Sequence, residues 1–155
     1  MSTVESKLSE LNIQLPDPVA PAGNYVPFLQ QGSRILLSGQ TCRQDGAMAY
    51  SGQVGGKLSV EEGKAAARIC ALNLLSQLRT SCGGDMDRVK RCIKLNIYVN
   101  SASSFSSQPA VANGASDLMV EIFGEKGVHV RSAVGVAALP GNAAVEVDGE
   151  FEILI

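Results

Sequence analysis

The stretch from Val128 to Glu152 constrains the fold more than any other part of the chain. Its first half runs Val128-His129-Val130-Arg131-Ser132-Ala133-Val134-Gly135-Val136-Ala137-Ala138-Leu139, with β-branched residues alternating with other types. The second half, Ala144-Val145-Glu146-Val147-Asp148-Gly149-Glu150-Phe151-Glu152, repeats the pattern after the turn cluster Pro140-Gly141-Asn142. The segment therefore reads as two strands. Paired antiparallel about that turn, they would bring Arg131 and Glu146 to the same end of a sheet. A guanidinium and a carboxylate so placed form either a plain cross-strand ion pair or an anion clamp beside a base, and pattern alone leaves both open.

The remaining elements fit around this pair. Val4, Leu8 and Leu11 have the spacing of a short amphipathic helix, and Pro16, Pro18 and Pro21 make residues 15–24 an extended connector. Tyr25 to Gln30 and Arg34 to Ser38, split by Gln31-Gly32-Ser33, predict a hairpin whose second strand runs into Ser38-Gly39-Gln40. A glycine there lets backbone approach a ligand closely. Residues 41–58 read as a Gly-rich surface loop, with a possible short hairpin and no chemistry of their own. Gly52, Gly55 and Gly56 lack the order of a phosphate-binding loop.

Ser59 and Glu62 make a capping box that opens a helix, with Ala65, Ile69, Leu72, Leu75 and Leu78 as its buried stripe and Gly83-Gly84 as its end. A strand over Val89 to Asn100 follows, with Val89, Ile93, Leu95, Ile97 and Val99 on its apolar face and Cys92 on the other. Pro109 then starts a second helix, whose stripe is Val111, Ala115, Leu118, Ile122 and Phe123 and whose stop is Gly124. Gly114 inside it costs about 1 kcal/mol relative to alanine, so something compensates. Either the helix packs closely against the sheet, or Asn113 turns inward toward a pocket. The order strand, strand, helix, strand, helix, strand, strand implies an α+β single domain: a mixed β-sheet with two main helices packed on one face.

Arg-Ser-x-Val-x-Val-x-x-Leu-Pro from Arg131, followed after a short turn by Val-Glu-Val, resembles the signature of the Rid (YjgF-like) family of imine and enamine deaminases. The Tyr25-Val26 pair and the later Ser-Gly-Gln extend the likeness, which covers nearly the whole chain after residue 20. It divides the chain into an extension with a short helix (1–20) and a chorismate-mutase-like, Rid/YjgF-like domain (21–155). The resemblance implies homotrimers with pockets between subunits. It further implies that Arg131 grips a substrate carboxylate and that Glu146, fifteen residues later, serves the water chemistry. Tyr25 would flank the pocket, the Gly39 amide would help hold the carboxylate, and Asn113 falls in about the part of the chain where family members carry an asparagine. The implied reaction is hydrolysis of 2-imino or enamino acids to 2-keto acids and ammonia, with no metal or organic cofactor. The chain departs from the pattern at Ala133, where deaminase members carry cysteine. Two other classes stay open: a non-catalytic binding protein for small carboxylates, and an RNA-cleaving or translation-inhibiting protein.

Composition bears on the last of these. At 155 residues and 45% apolar side chains the chain can bury a sizeable core. A net charge of -2 and a pI near 5.4, with scattered basic residues, argue against a nucleic-acid surface. Residues 1–14 carry no apolar run that would suit a membrane anchor or leader. Cys42, Cys70, Cys82 and Cys92 lack metal-site spacing, which suggests reduced thiols in the cytoplasm. His129, the only histidine, lies two positions before Arg131 and is expected either to face solvent or to share its pocket.

Overall fold

In the computed structural model, which describes residues 3–155, a five-stranded mixed sheet carries its helices on one face. Helix α1 (Thr3–Glu10) buries Val4 and Leu8 in the common core, and its Thr3 and Val4 amides donate to the Asp87 carboxylate at 2.9 Å each. Satisfying first-turn amides with a carboxylate is what a helix start requires. The proline-rich connector has no regular structure, but its carbonyls at Pro16 and Val19 accept from Ser76 Oγ (2.5 Å) and Gln77 Nε2 (2.9 Å). The hairpin forms as expected: β1 (Phe28–Gln31) and β2 (Arg34–Thr41) close with Gln31 opposite Arg34. A second, two-residue hairpin follows, β3 (Arg43–Gln44) with β4 (Ala47–Met48). Asp45 and Gly46 turn it at φ of 54° and 80°, the positive values that an Asp-Gly turn supplies.

Helix α2 (Val60–Ser81) has the expected capping box, with Ser59 Oγ accepting from the Glu62 amide and Glu62 Oε1 from the Ser59 amide. Its buried stripe is rotated from the one expected. Ala66, Cys70, Leu74 and Leu78 are fully buried, while Ala65, Ile69 and Leu72 are half-buried. A helix wedged between a sheet and a second helix buries two adjacent faces, and small residues occupy the tightest of these. In β5 (Val89–Asn100) irregularities in the pairing with its neighbour shift the alternation. Cys92 therefore points into the core and Ile93 does not, the reverse of the expectation. Helix α3 (Gln108–Phe123) buries all five expected positions and ends at Gly124. Gly114 does reflect close packing, but against α2 rather than the sheet. A Cβ there would lie 2.0 Å from the Lys64 carbonyl oxygen.

Strands β6 (Val130–Val136) and β7 (Val145–Ile153) correct the main topological expectation, because they are not partners. The sheet order is β1-β2-β7-β5-β6, with β5 lying between them, parallel to β6 and antiparallel to β7. The β5-α3-β6 segment is a crossover unit, which demands a parallel pair. Pro140–Asn142 forms a 3-10 turn that carries the chain past the end of β5 instead of a tight hairpin. The fold class holds even though this pairing does not.

The Gly114 contact generates a test. Gly114→Ala, which should favour an isolated helix, is expected to destabilise the protein by about 1–3 kcal/mol, because α2 and α3 must separate. Urea unfolding measures this, and a neutral or stabilised variant would contradict the packing.

Candidate active site

The register of β5 sorts the expected site residues into two groups. Arg131 sits opposite Leu95 and Ala133 opposite Ile97, so both share the face that α3 covers. Glu146 sits opposite Tyr98 and so shares the other face with Asp148. Two strand spacings of about 4.8 Å and three residues at about 3.3 Å each separate the Cα atoms of Arg131 and Glu146 by roughly 14 Å. Within one chain the two are neither an ion pair nor parts of one pocket.

The Arg131 group lies at the free edge of the sheet. Its Nη1 donates to Asn113 Oδ1 (2.9 Å) and Ser116 Oγ (3.0 Å), and its Nη2 to the Pro109 carbonyl (3.3 Å), all from α3. Asn113 thus turns toward Arg131 at the sheet edge, and lines none of the described cavities. Behind it, Ser116 Oγ lies 2.9 Å from His129 Nε2, and His129 Nδ1 lies 2.6 Å from the Gly127 carbonyl. That carbonyl can only accept, so Nδ1 carries the proton and Nε2 receives the serine hydroxyl. His129 is half-buried and faces neither solvent nor the cavity; it braces Ser116. A guanidinium has five N–H donors. The three bonds above leave Nε–H and one Nη2 hydrogen of Arg131 uncommitted among the described residues.

The Glu146 group lines a cavity of about 280 Å³ with Tyr25, Gly39, Arg43, Met48 and Asn73. That volume lies at the lower edge of ligand pockets and suits a small metabolite. Gly39 leaves room for the carboxylate here, since a Cβ on it would lie 3.0 Å from the Glu146 carboxyl carbon and push that group aside. Burial raises Glu146 above the usual carboxylate range, and the negative charge of Asp148 adds to the rise. Asp148 is itself held by Asn96 Nδ2 (2.8 Å) and Tyr98 Oη (3.0 Å). A half-buried carboxylate with a raised pKa, facing a cavity, is the arrangement of a general base.

Sequence reasoning named Tyr25, Gly39 and Glu146, and the structure places all three on this cavity; it did not name Arg43, Met48 or Asn73, and it gave the loop that carries the first two no chemistry of its own. The Asp45-Gly46 dipeptide was the available signal: it folds β3 and β4 back beside β2 and presents Arg43 and Met48 to the cavity. Asn73 pins that hairpin, its Nδ2 donating to the carbonyls of Thr41 and Arg43 at 2.9 Å each.

Comparison with known proteins decides the family. A family model described as "YjgF/chorismate_mutase-like, putative endoribonuclease" matches residues 5–149. The chain belongs to this family. Protein TCP17 of Trypanosoma cruzi is 51% identical over 151 residues, covering 97% of this chain and 94% of its own length. A 2-iminobutanoate/2-iminopropanoate deaminase of Dermatophagoides farinae is 31% identical over 136 residues, covering 88% and 91%. The crystal structure of a putative endoribonuclease from Shewanella oneidensis superposes with a TM-score of 0.94 at 37% identity, covering 98% of this chain and all of that one. In this fold the Arg131 group and the Glu146 group lie on opposite faces of one sheet. Among the described residues no helix is long and apolar enough to cross a membrane, and no cluster of three His, Cys, Asp or Glu could hold a metal.

The raised pKa of Glu146 has a signed consequence. Ionising it costs the folded state more than the unfolded state, so stability falls as pH rises from the ordinary glutamate value through the raised one. Glu146→Gln is therefore expected to raise Tm at pH 7, with the gain vanishing below about pH 4. Calorimetric Tm against pH measures it; a lowered Tm at pH 7 would mean that the carboxylate is stabilising.

Proposed function

We propose that this YjgF-family protein hydrolyses reactive 2-imino acids, or their enamine tautomers, to 2-keto acids and ammonia in a site that two subunits build together. The observation that carries the reading is the placement of the two halves. An uncommitted guanidinium fork lies at one sheet edge, and a raised-pKa carboxylate faces a small cavity elsewhere. A second copy docked against β6 would join them. That edge is suited to burial, with Val130 64% exposed and Val134 46% exposed on the face that no helix covers. The family resemblance supports a homotrimer as the assembly.

Each residue then has a role. The free Nε–H and Nη2–H of Arg131 hold the substrate carboxylate through two parallel charge-assisted bonds, and Asn113 keeps the guanidinium in place. Glu146 accepts a proton from water as the oxygen attacks C2. The C–O bond forms, and the C=N π pair becomes an N–H bond in a tetrahedral aminol. Glu146 hands the proton it took from water to nitrogen to make that N–H bond, then relays the aminol hydroxyl proton to nitrogen as collapse restores C=O, breaks C–N and releases ammonia. Gly39 admits the substrate beside Glu146, and Tyr25 walls the cavity. Ala133 keeps the backbone amide of its position and lacks a thiol, so thiol chemistry has no part. The loss of that thiol also favours a second reading, a carboxylate-binding protein without turnover. The buried, unpaired cysteines suit a reducing compartment, and we place the protein in the cytoplasm.

The test generates 2-imino acids with an amino-acid oxidase and follows their loss. The protein should accelerate it, and Arg131→Ala and Glu146→Gln should each lower kcat/KM by roughly a hundredfold or more. Arg131→Lys should not restore the rate, lacking the planar fork. No acceleration with small, aliphatic or aromatic imino acids would leave the binding-protein reading.

A further inference from the structure

The Glu146 cavity holds a permanent cation that the reaction above does not use. Arg43 opens β3, lines the cavity and is exposed to it. None of the ion pairs among the described residues includes it, and its guanidinium makes none of their side-chain hydrogen bonds. A guanidinium offers an anion its N–H donors in a planar fork. Its backbone is unusually fixed for a loop. Asn73, itself only 8% exposed, bonds the carbonyls on either side of Cys42, and the tight Asp45-Gly46 turn closes the hairpin immediately beyond. The side chain reaches toward the Pro140–Asn142 turn. A Cβ on Gly141 would lie 4.0 Å from Arg43 Nη2 and 3.1 Å from Met48 Cε. Glu146, also without an ion-pair partner among the described residues, lines the same cavity.

We propose that Arg43 binds a second anionic group of the substrate, so that the cavity selects 2-imino acids whose side chain ends in a carboxylate. This rests on the deaminase reading of the same site. Arg131 holds the α-carboxylate, C2 lies by the water that Glu146 activates, and the side chain runs into the cavity where Arg43 waits. Of the other cavity walls, Tyr25, Gly39, Met48 and Asn73 carry no charge, and Glu146 is the one carboxylate, which the reaction engages with water. An aliphatic side chain offers the guanidinium no acceptor in place of water, whereas a terminal carboxylate receives its paired donors.

The experiment compares the full-length protein with Arg43→Met, a variant that keeps the length of the aliphatic stem. Dicarboxylic imino acids come from an aspartate or glutamate oxidase, and aliphatic ones from an oxidase acting on alanine or 2-aminobutyrate. The wild type should prefer the dicarboxylic class. Arg43→Met should cut kcat/KM for that class roughly ten- to hundredfold and leave the aliphatic class within about twofold. Equal loss for both classes, or a common shift of their pH profiles, would overturn the proposal, because Arg43 would then be holding the α-carboxylate or tuning Glu146. Hydrolysis of aliphatic imino acids with no preference for the second carboxylate would overturn it as well. Calorimetric binding of 2-oxoglutarate and 2-oxobutanoate keeps the two readings separable. If neither imine class is turned over, the deaminase reading fails; selective weakening of 2-oxoglutarate by Arg43→Met would still support the anion site, and unchanged affinity would refute it.

Discussion

The parallel pairing of β5 with β6 is the constraint on which the rest depends. A parallel neighbour cannot be reached by a tight turn, so the chain crosses over through α3 and returns at the sheet's far edge. That crossover lays α3 over the residues of β6 that face it, and Arg131 meets Asn113, Ser116 and Pro109 there. The same crossover leaves β5 between β6 and β7, which puts Glu146 two strands away and on the opposite face. A short sequence interval thus becomes a separation across two strands and two faces of the sheet.

Packing around the crossover explains the small residues. Gly114 lets α3 rest on the α2 backbone at Lys64, and Gly127 lets the segment after α3 rest on the Met119 carbonyl, 2.1 Å from where a Cβ would be. These contacts set how far α3 stands from β6, and hence whether Asn113 and Ser116 reach the guanidinium. His129 extends the same logic by one shell, since it receives the Ser116 hydroxyl and leaves the serine lone pairs to Arg131. Stability and site geometry depend on the same few contacts.

Much of this was legible in the sequence, and the failures have a common cause. The hairpin read over Tyr25 to Gln30 and Arg34 to Ser38, the Ser59 capping box and the α3 stripe are local patterns, set by turn chemistry and helical period, and all three form, the hairpin with its strands at Phe28–Gln31 and Arg34–Thr41. The pairing of β6 with β7 was misread because Pro140-Gly141-Asn142 looks like a hairpin turn, whereas the strand-helix-strand order from Val89 onward already demanded a parallel partner for β6. Cys92 was placed on the wrong face because a pairing irregularity is invisible to strict alternation. Arg43 was missed because the Asp45-Gly46 turn shows the hairpin but not its position, which Asn73, thirty residues away, fixes at the cavity that Glu146 also lines. Local pattern named Arg131 and Glu146 as residues of interest, but only the sheet order reveals that they lie two strands apart on opposite faces.

Mixing two disabled variants tests the two-subunit site most directly. Arg131→Ala and Glu146→Gln chains, unfolded together and refolded at equal concentration, should regain activity. Random assembly gives about a quarter of the interfaces an intact Arg131 facing an intact Glu146 in a closed ring. Recovery of that order, absent when either variant is refolded alone, is the predicted result. A mixture no more active than its components, with mixed oligomers demonstrated by mass spectrometry, would place both residues in the service of one chain and contradict the account.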